Sequence, residues 1–155
     1  MADPNISIAK TIAHEGGFSN NPADSGGATK YGVEQRDVPS IPIQTLTVAQ
    51  ATAYYLANYV KPLFHEINSQ AILDKLVDAG VLFGVGAAVS DLQRAIPIYV
   101  DGLFGAETLL LVNEAPEAQL LADFKTQLFT RAHGVVAAHP QDLEFLVGWL
   151  NRISS

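Results

Sequence analysis

One stretch of this chain cannot be helical. Residues 16–33 place Gly16, Gly17, Gly26, Gly27 and Gly32 among Asn, Asp, Ser and Pro, a composition that opposes helical hydrogen bonding and favours turns. Elsewhere, apolar residues recur at three- and four-residue spacing between short breaks. The chain is therefore read as a set of helices around one irregular excursion. That excursion begins directly after Glu15.

Ile6, Ala9, Ile12 and Ala13 predict a first helix over Ile6–His14, with Asn5 as its cap and Gly16-Gly17 as its end. Pro39 and Pro42 make "VPSIPIQ" a loop. Thr47 caps a helix over Val48–Val60, which Pro62 follows. Ile72, Leu76, Val77 and Val81 form the inward face of a helix over Ser69–Phe83. Small residues dominate Gly84–Ile96, a helix suited to close packing. An Asp-Gly turn at Asp101-Gly102 precedes a helix from about Ala106. Pro116 opens a long helix on Leu120, Leu121, Phe124 and Leu128, and Pro140 opens the last, with Phe145, Leu146, Trp149 and Leu150 as its apolar face.

At 155 residues the chain is one domain, large enough for a real core, and 48% hydrophobic against 16% charged residues makes it globular. No apolar run reaches the ~18 residues of a membrane span. "MADPNISIAK" lacks the basic and apolar regions of a Sec-type signal peptide. With no cysteine, thiolate catalysis, disulfides and Cys-ligated metal are excluded. His14, His65, His133 and His139 show no metal-ligand spacing, so neither metal nor cofactor is expected. A net charge of −7 without a basic stripe argues against nucleic acid. "GVGAAV" starts like a dinucleotide fingerprint but has Val89 where the third glycine belongs, and close helix packing explains it better.

The candidate chemistry lies in "HEGGFSNNPADSGGATKYGV". Glu15 falls at a helix C-terminus, where the helix dipole disfavours negative charge, and burial beside Phe18 or Tyr31 would do the same. A carboxylic acid that keeps its proton near neutral pH is what general acid catalysis requires. Taken alone, Glu15 is better read as a solvated residue at a frayed end, Asp24 as a turn residue bonded to its own backbone, and Thr29 as an ordinary strand threonine. The combination E-x8-D-x4-T across a glycine-rich turn is more specific, because Asp24 could be the second carboxylate of a glycosidase pair and Thr29 could hold a water beside it.

With those residues in view, the chain resembles glycoside hydrolase family 108, peptidoglycan-cleaving N-acetylmuramidases found as phage endolysins and bacterial secretion activators. The matching positions are Glu15, Gly16, Gly17, Phe18, Asn20, Pro22, Asp24, Gly26, Gly27, Thr29 and Gly32. "NYVKPLF" is similar to the family's D-Y-W-x-P segment, with Val60 in place of Trp, and "DAGVLFG" to its D-x-x-V-N-x-G, with Leu82 in place of Asn. "FLVGWLNRI" resembles its usual ending.

The resemblance implies a mainly α, lysozyme-like single domain with a short loop or β-hairpin at about residues 17–33. Residues 1–66 would form the catalytic region, packed as one unit with a helical, peptidoglycan-binding-like region over 67–155. Glu15 would be the catalytic acid. By a looser likeness to phage lysozymes with Glu, Asp and Thr in the same order, Asp24 and Thr29 would position water or stabilise the transition state. Phe18, Asn20 and Tyr31 would contact substrate. The expected partner is the peptidoglycan glycan strand, met by a monomer that reaches the wall through a holin or a secretion system. A lytic transglycosylase, or a non-catalytic peptidoglycan-binding or secretion-accessory module, is the alternative. Retention or inversion depends on carboxyl separation and stays open.

Overall fold

A computed structural model describes residues 1–15, 17–18 and 28–155. Among these, seven α-helices and one two-stranded sheet are present, so the expected mainly α, lysozyme-like architecture is what the chain adopts.

Helix α1 (Pro4–Glu15) begins two residues earlier than the periodicity predicts. Pro4 suits a first turn because its missing N–H has no intrahelical partner there. The cap is Asp3, not Asn5: Asp3 Oδ1 accepts from the Asn5 backbone N–H at 2.8 Å. Strands β1 (Thr29–Lys30) and β2 (Val33–Glu34) pair antiparallel, with Thr29 opposite Glu34 and Lys30 opposite Val33. Two residues, Tyr31 (φ 55°) and Gly32 (φ 75°), turn the chain between them. Both positive φ values match the two-residue hairpin turn whose twist suits antiparallel strands. After it, a 3-10 turn at Gln35–Asp37 leads into the expected loop, and a second at Ile43–Thr45 closes it. Gln35 organises it, donating to the Val38 and Ile41 carbonyls and accepting from the Ile43 N–H.

Helix α2 (Val48–Tyr59) starts on the expected Thr47, which forms a reciprocal capping box with Gln50. Helix α3 (Gln70–Phe83) is capped by Ser69 and is followed by Gly84 at φ 87°, from which α4 (Val85–Arg94) departs. Helices α5 (Ala106–Glu114), α6 (Glu117–Ala138) and α7 (Leu143–Ser154) complete the chain. A 3-10 turn at Pro140–Asp142 precedes α7.

Helix α3 is the hub. It packs against α1, α2, α4, α6 and α7 around one hydrophobic core. Ile72, Leu73, Leu76 and Val77 are buried with Ile8, Tyr55, Phe64, Leu92, Phe124 and Leu128. Each such aliphatic or Phe side chain contributes roughly 1.5–3 kcal/mol by leaving water. One expected core residue lies elsewhere: Phe145 is exposed and faces a cleft, which Val81 also lines while packing half-buried against the core. Buried Asp91 ties α4 to α6 through an ion pair with Arg131 and also pairs with Arg94 within α4. No helix among the described residues is long and apolar enough to cross a membrane.

Candidate active site

The position of Glu15 follows from how α1 is fastened. Ser7 and Lys10 of α1 both bond Asp74 of α3, at 2.6 and 2.5 Å, and Gln70 adds a third bond to Asp74 at 2.6 Å. Burial alone would raise the Asp74 carboxyl, but the bonds from Lys10, Ser7 and Gln70 outweigh it and hold it below its ordinary value. This lock fixes the azimuth of α1, and Glu15 is its last residue.

Three elements meet the Glu15 side chain. From α7, Arg152 donates to Glu15 Oε1 at 2.5 Å and to Asp78 Oδ1 of α3 at 2.6 Å. Burial works against the Arg152 charge, yet the bond and charge of Asp78, followed by those of Glu15, hold the guanidinium above its ordinary value. From the hairpin, Gly32 lies so close that a Cβ there would stand 2.7 Å from Glu15 Cγ. From α2, buried Tyr55 donates to the Tyr31 carbonyl at 3.0 Å, bracing a non-glycine residue in a left-handed conformation. Burial first and the Glu15 charge second push the Tyr55 hydroxyl well above its ordinary value.

Glu15 thereby opens on a cleft of about 650 Å³. One set of lining groups is acidic: Glu34, Asp37 and Glu144. Another is aromatic: Tyr54 and Tyr59 from α2, Phe145 and Trp149 from α7. Phe145 stacks on Trp149 (centroids 6.2 Å apart, 27° between planes), and Phe83 meets Trp149 edge-on at 5.5 Å. Tyr54 donates to Asp37 Oδ2 at 3.1 Å. Glu34 Oε2 lies 2.5 Å from Arg36 Nε without hydrogen-bond alignment, so among the described residues this occluded oxygen receives no hydrogen bond. A carboxylate at one point of an open groove, with flat apolar faces and further oxygens around it, suits a ligand that alternates apolar faces with hydroxyls, as a pyranose chain does.

Of the residues singled out in the sequence, Glu15 lines this cleft. Thr29 stands opposite Glu34 in the hairpin and so shares its face of the ribbon, but it is not among the described lining residues. Tyr31 packs half-buried against the core, with Lys30 Nζ 5.4 Å from its ring centroid. Phe18 is exposed outside the described lining. Asn20 and Asp24 lie outside the described residues. The solvated, unpartnered Glu15 considered at a helix end is replaced by an ion-paired one. Sequence reasoning passed over Arg152, Asp78, Glu34 and Trp149. Asp78 and Leu82 stand in the quoted "DAGVLFG", and Trp149 and Arg152 in "FLVGWLNRI", but nothing local tells that both segments face Glu15. No cluster of three or more His, Asp or Glu among the described residues is arranged to hold a metal ion.

Comparisons with known proteins bear on the family and the fold. Residues 8–84 match the family model described as Glycosyl hydrolase 108, a segment that runs from α1 through α3 and supports a glycoside hydrolase. The matched segment includes Glu15, the hairpin and Asp78, but not α7. A solved structure described as SagA of Brucella abortus is similar over 97% of this chain and 89% of its own, with a TM-score of 0.80 and 23% identity, so the fold is shared. No curated protein sequence is significantly similar to the chain.

Proposed function

We propose that this chain, built on a Glycosyl hydrolase 108 segment, is a peptidoglycan N-acetylmuramidase. It hydrolyses the β-1,4 bond between N-acetylmuramic acid and N-acetylglucosamine. The observation that carries the reading is the placement of Glu15, the glutamate of the Glu-Gly-Gly motif, on an aromatic- and carboxylate-lined cleft. Glu15 protonates the glycosidic oxygen as the leaving group departs. Asp24, with Thr29, orients the attacking water or stabilises the oxocarbenium-like transition state. Phe18, Asn20 and Tyr31 contact sugars. The stacked Phe145–Trp149 pair provides a plane for the apolar face of a sugar ring. No cofactor enters the reaction. The protein acts as a lysin of phage or bacterial origin that reaches the wall by a holin or secretion route.

The test is zymography on purified peptidoglycan with wild type and Glu15→Gln, joined to mass spectrometry of the products. Reducing muramic ends are expected, with at least about a hundredfold loss of rate in Glu15→Gln at unchanged circular dichroism. Anhydro ends would make the protein a lytic transglycosylase. Binding without cleavage would make it an accessory wall-binding module. Full activity in Glu15→Gln would remove Glu15 from the chemistry.

A further inference from the structure

We infer that Arg152, on the last turn of α7 and outside the segment that matches the glycosyl hydrolase model, is a positioning residue that sets the placement and charge of Glu15 by sharing one guanidinium between Glu15 and Asp78. The inference rests on the proposed role of Glu15.

Arg152 is gripped at both ends by one helix. Its guanidinium bonds Asp78, and its backbone carbonyl accepts from Lys75 Nζ at 2.5 Å. Lys75 and Asp78 are three residues apart, hence on one face of α3, and both are buried. Lys125 of α6 adds a bond to the Ser154 carbonyl at 2.8 Å. These lysines occupy the C-terminal end of α7, where its dipole favours cations. The backbone of Arg152 is therefore fixed before its side chain reaches Glu15, and only 15% of that side chain is exposed. A planar fork held this way can orient a carboxylate, which a mobile lysine would do poorly.

The electrostatic setting makes the assignment testable. Glu15 faces Arg152 and Glu144 from α7, Asp78 from α3, Tyr55 and Tyr59 from α2, Glu34 from β2, and Arg36 and Asp37 from the following 3-10 turn. Arg152 is the one cation of this set bonded to Glu15, and Asp78 competes for it. Deleting the cation and deleting the competitor must then shift the Glu15 titration in opposite directions. The titration reports this electrostatic coupling, and the split between kcat and KM separates a residue that positions Glu15 from a bridge that only braces the fold.

The experiment follows the Glu15 carboxyl carbon by NMR against pH, and separately the pH dependence of kcat and KM on peptidoglycan, in wild type, Arg152→Gln, Arg152→Lys and Asp78→Asn. Arg152→Gln is expected to raise the Glu15 midpoint, carry the alkaline limb of kcat upward with it, and lower kcat by about tenfold or more with KM little changed, since misplacing a reacting group is a kcat effect. Asp78→Asn is expected to lower the midpoint. Arg152→Lys keeps the midpoint near wild type and recovers only part of the rate. An unmoved midpoint in Arg152→Gln, or shifts of one sign in both Arg152→Gln and Asp78→Asn, would overturn the inference. If peptidoglycan is not cleaved by wild type, the proposed function falls, while the NMR titration still decides whether Arg152 governs Glu15.

Discussion

Adding one methyl group at Gly32 probes how the hairpin and helix α1 hold each other. In Gly32→Ala the new Cβ would stand 2.7 Å from Glu15 Cγ, 3.0 Å from Glu15 Cβ and closer still to the Tyr55 hydroxyl. None of these can yield cheaply. Glu15 Cβ and Cγ are near the backbone of α1, and the Tyr55 ring is buried and bonded to the Tyr31 carbonyl. Two costs add. A left-handed φ of 75° costs a non-glycine residue roughly 1 kcal/mol. Displacing the Tyr55 hydroxyl leaves it and the Tyr31 carbonyl unpaired, about 1–3 kcal/mol more.

A loss of roughly 2–4 kcal/mol lowers Tm by about 5–15 °C in a domain of this size. Moving Glu15 by even about 1 Å should cost on the order of a hundredfold in rate. Thermal unfolding by circular dichroism and turbidity clearing of peptidoglycan measure the two effects. Gly17→Ala, where a Cβ meets nothing within 4 Å among the described residues, is the control for steric crowding. Adding Tyr55→Phe to Gly32→Ala should recover part of the stability and little of the activity, because the contact with Glu15 remains. A Gly32→Ala protein as stable and as active as wild type would refute the argument that Gly32 is fitted against Glu15.

Two further outcomes test the same framework. Burial pushes Lys75 down to about 8 from an ordinary 10.5, so between those values the unfolded chain binds the extra proton and stability rises with pH. The gain is an upper bound of about 3 kcal/mol. Chemical denaturation should show this rise between pH 8 and about 10 in wild type, and a flatter profile in Lys75→Met. Phe145 is 52% exposed, so Phe145→Ala should change stability by less than about 1 kcal/mol. It should nevertheless weaken binding of peptidoglycan fragments several-fold by calorimetry, and unchanged affinity would remove Phe145 from the sugar-facing wall.

Much of this molecule is written locally. Thr47 and Gly84 start or end helices through hydrogen bonds and φ preferences that reach no further than four residues, so their positions are readable from the chain alone. The same holds for the helical class and for Glu15 at the end of α1, because amphipathic periodicity and a following Gly-Gly pair are short-range signals. The Asn5 cap was misplaced by a near-degenerate choice between Asp3 and Asn5, both good caps, which the fixed φ of Pro4 resolves in favour of Asp3.

What only the tertiary structure decides is the company Glu15 keeps. Arg152 lies 137 residues away in sequence and reaches Glu15 because α7 packs on α3. Trp149 and Phe145 have the spacing of a core face, yet Phe145 and one side of Trp149 meet the cleft, because α3 and α6 already fill the interior with Leu76, Phe124 and Leu128. Charge and burial at Glu15 are sums over three helices and a hairpin. Local propensity carries no record of those sums, so the sequence determined the helices and their ends, and only long-range packing determined which cation, which carboxylates and which aromatic faces meet at the candidate acid.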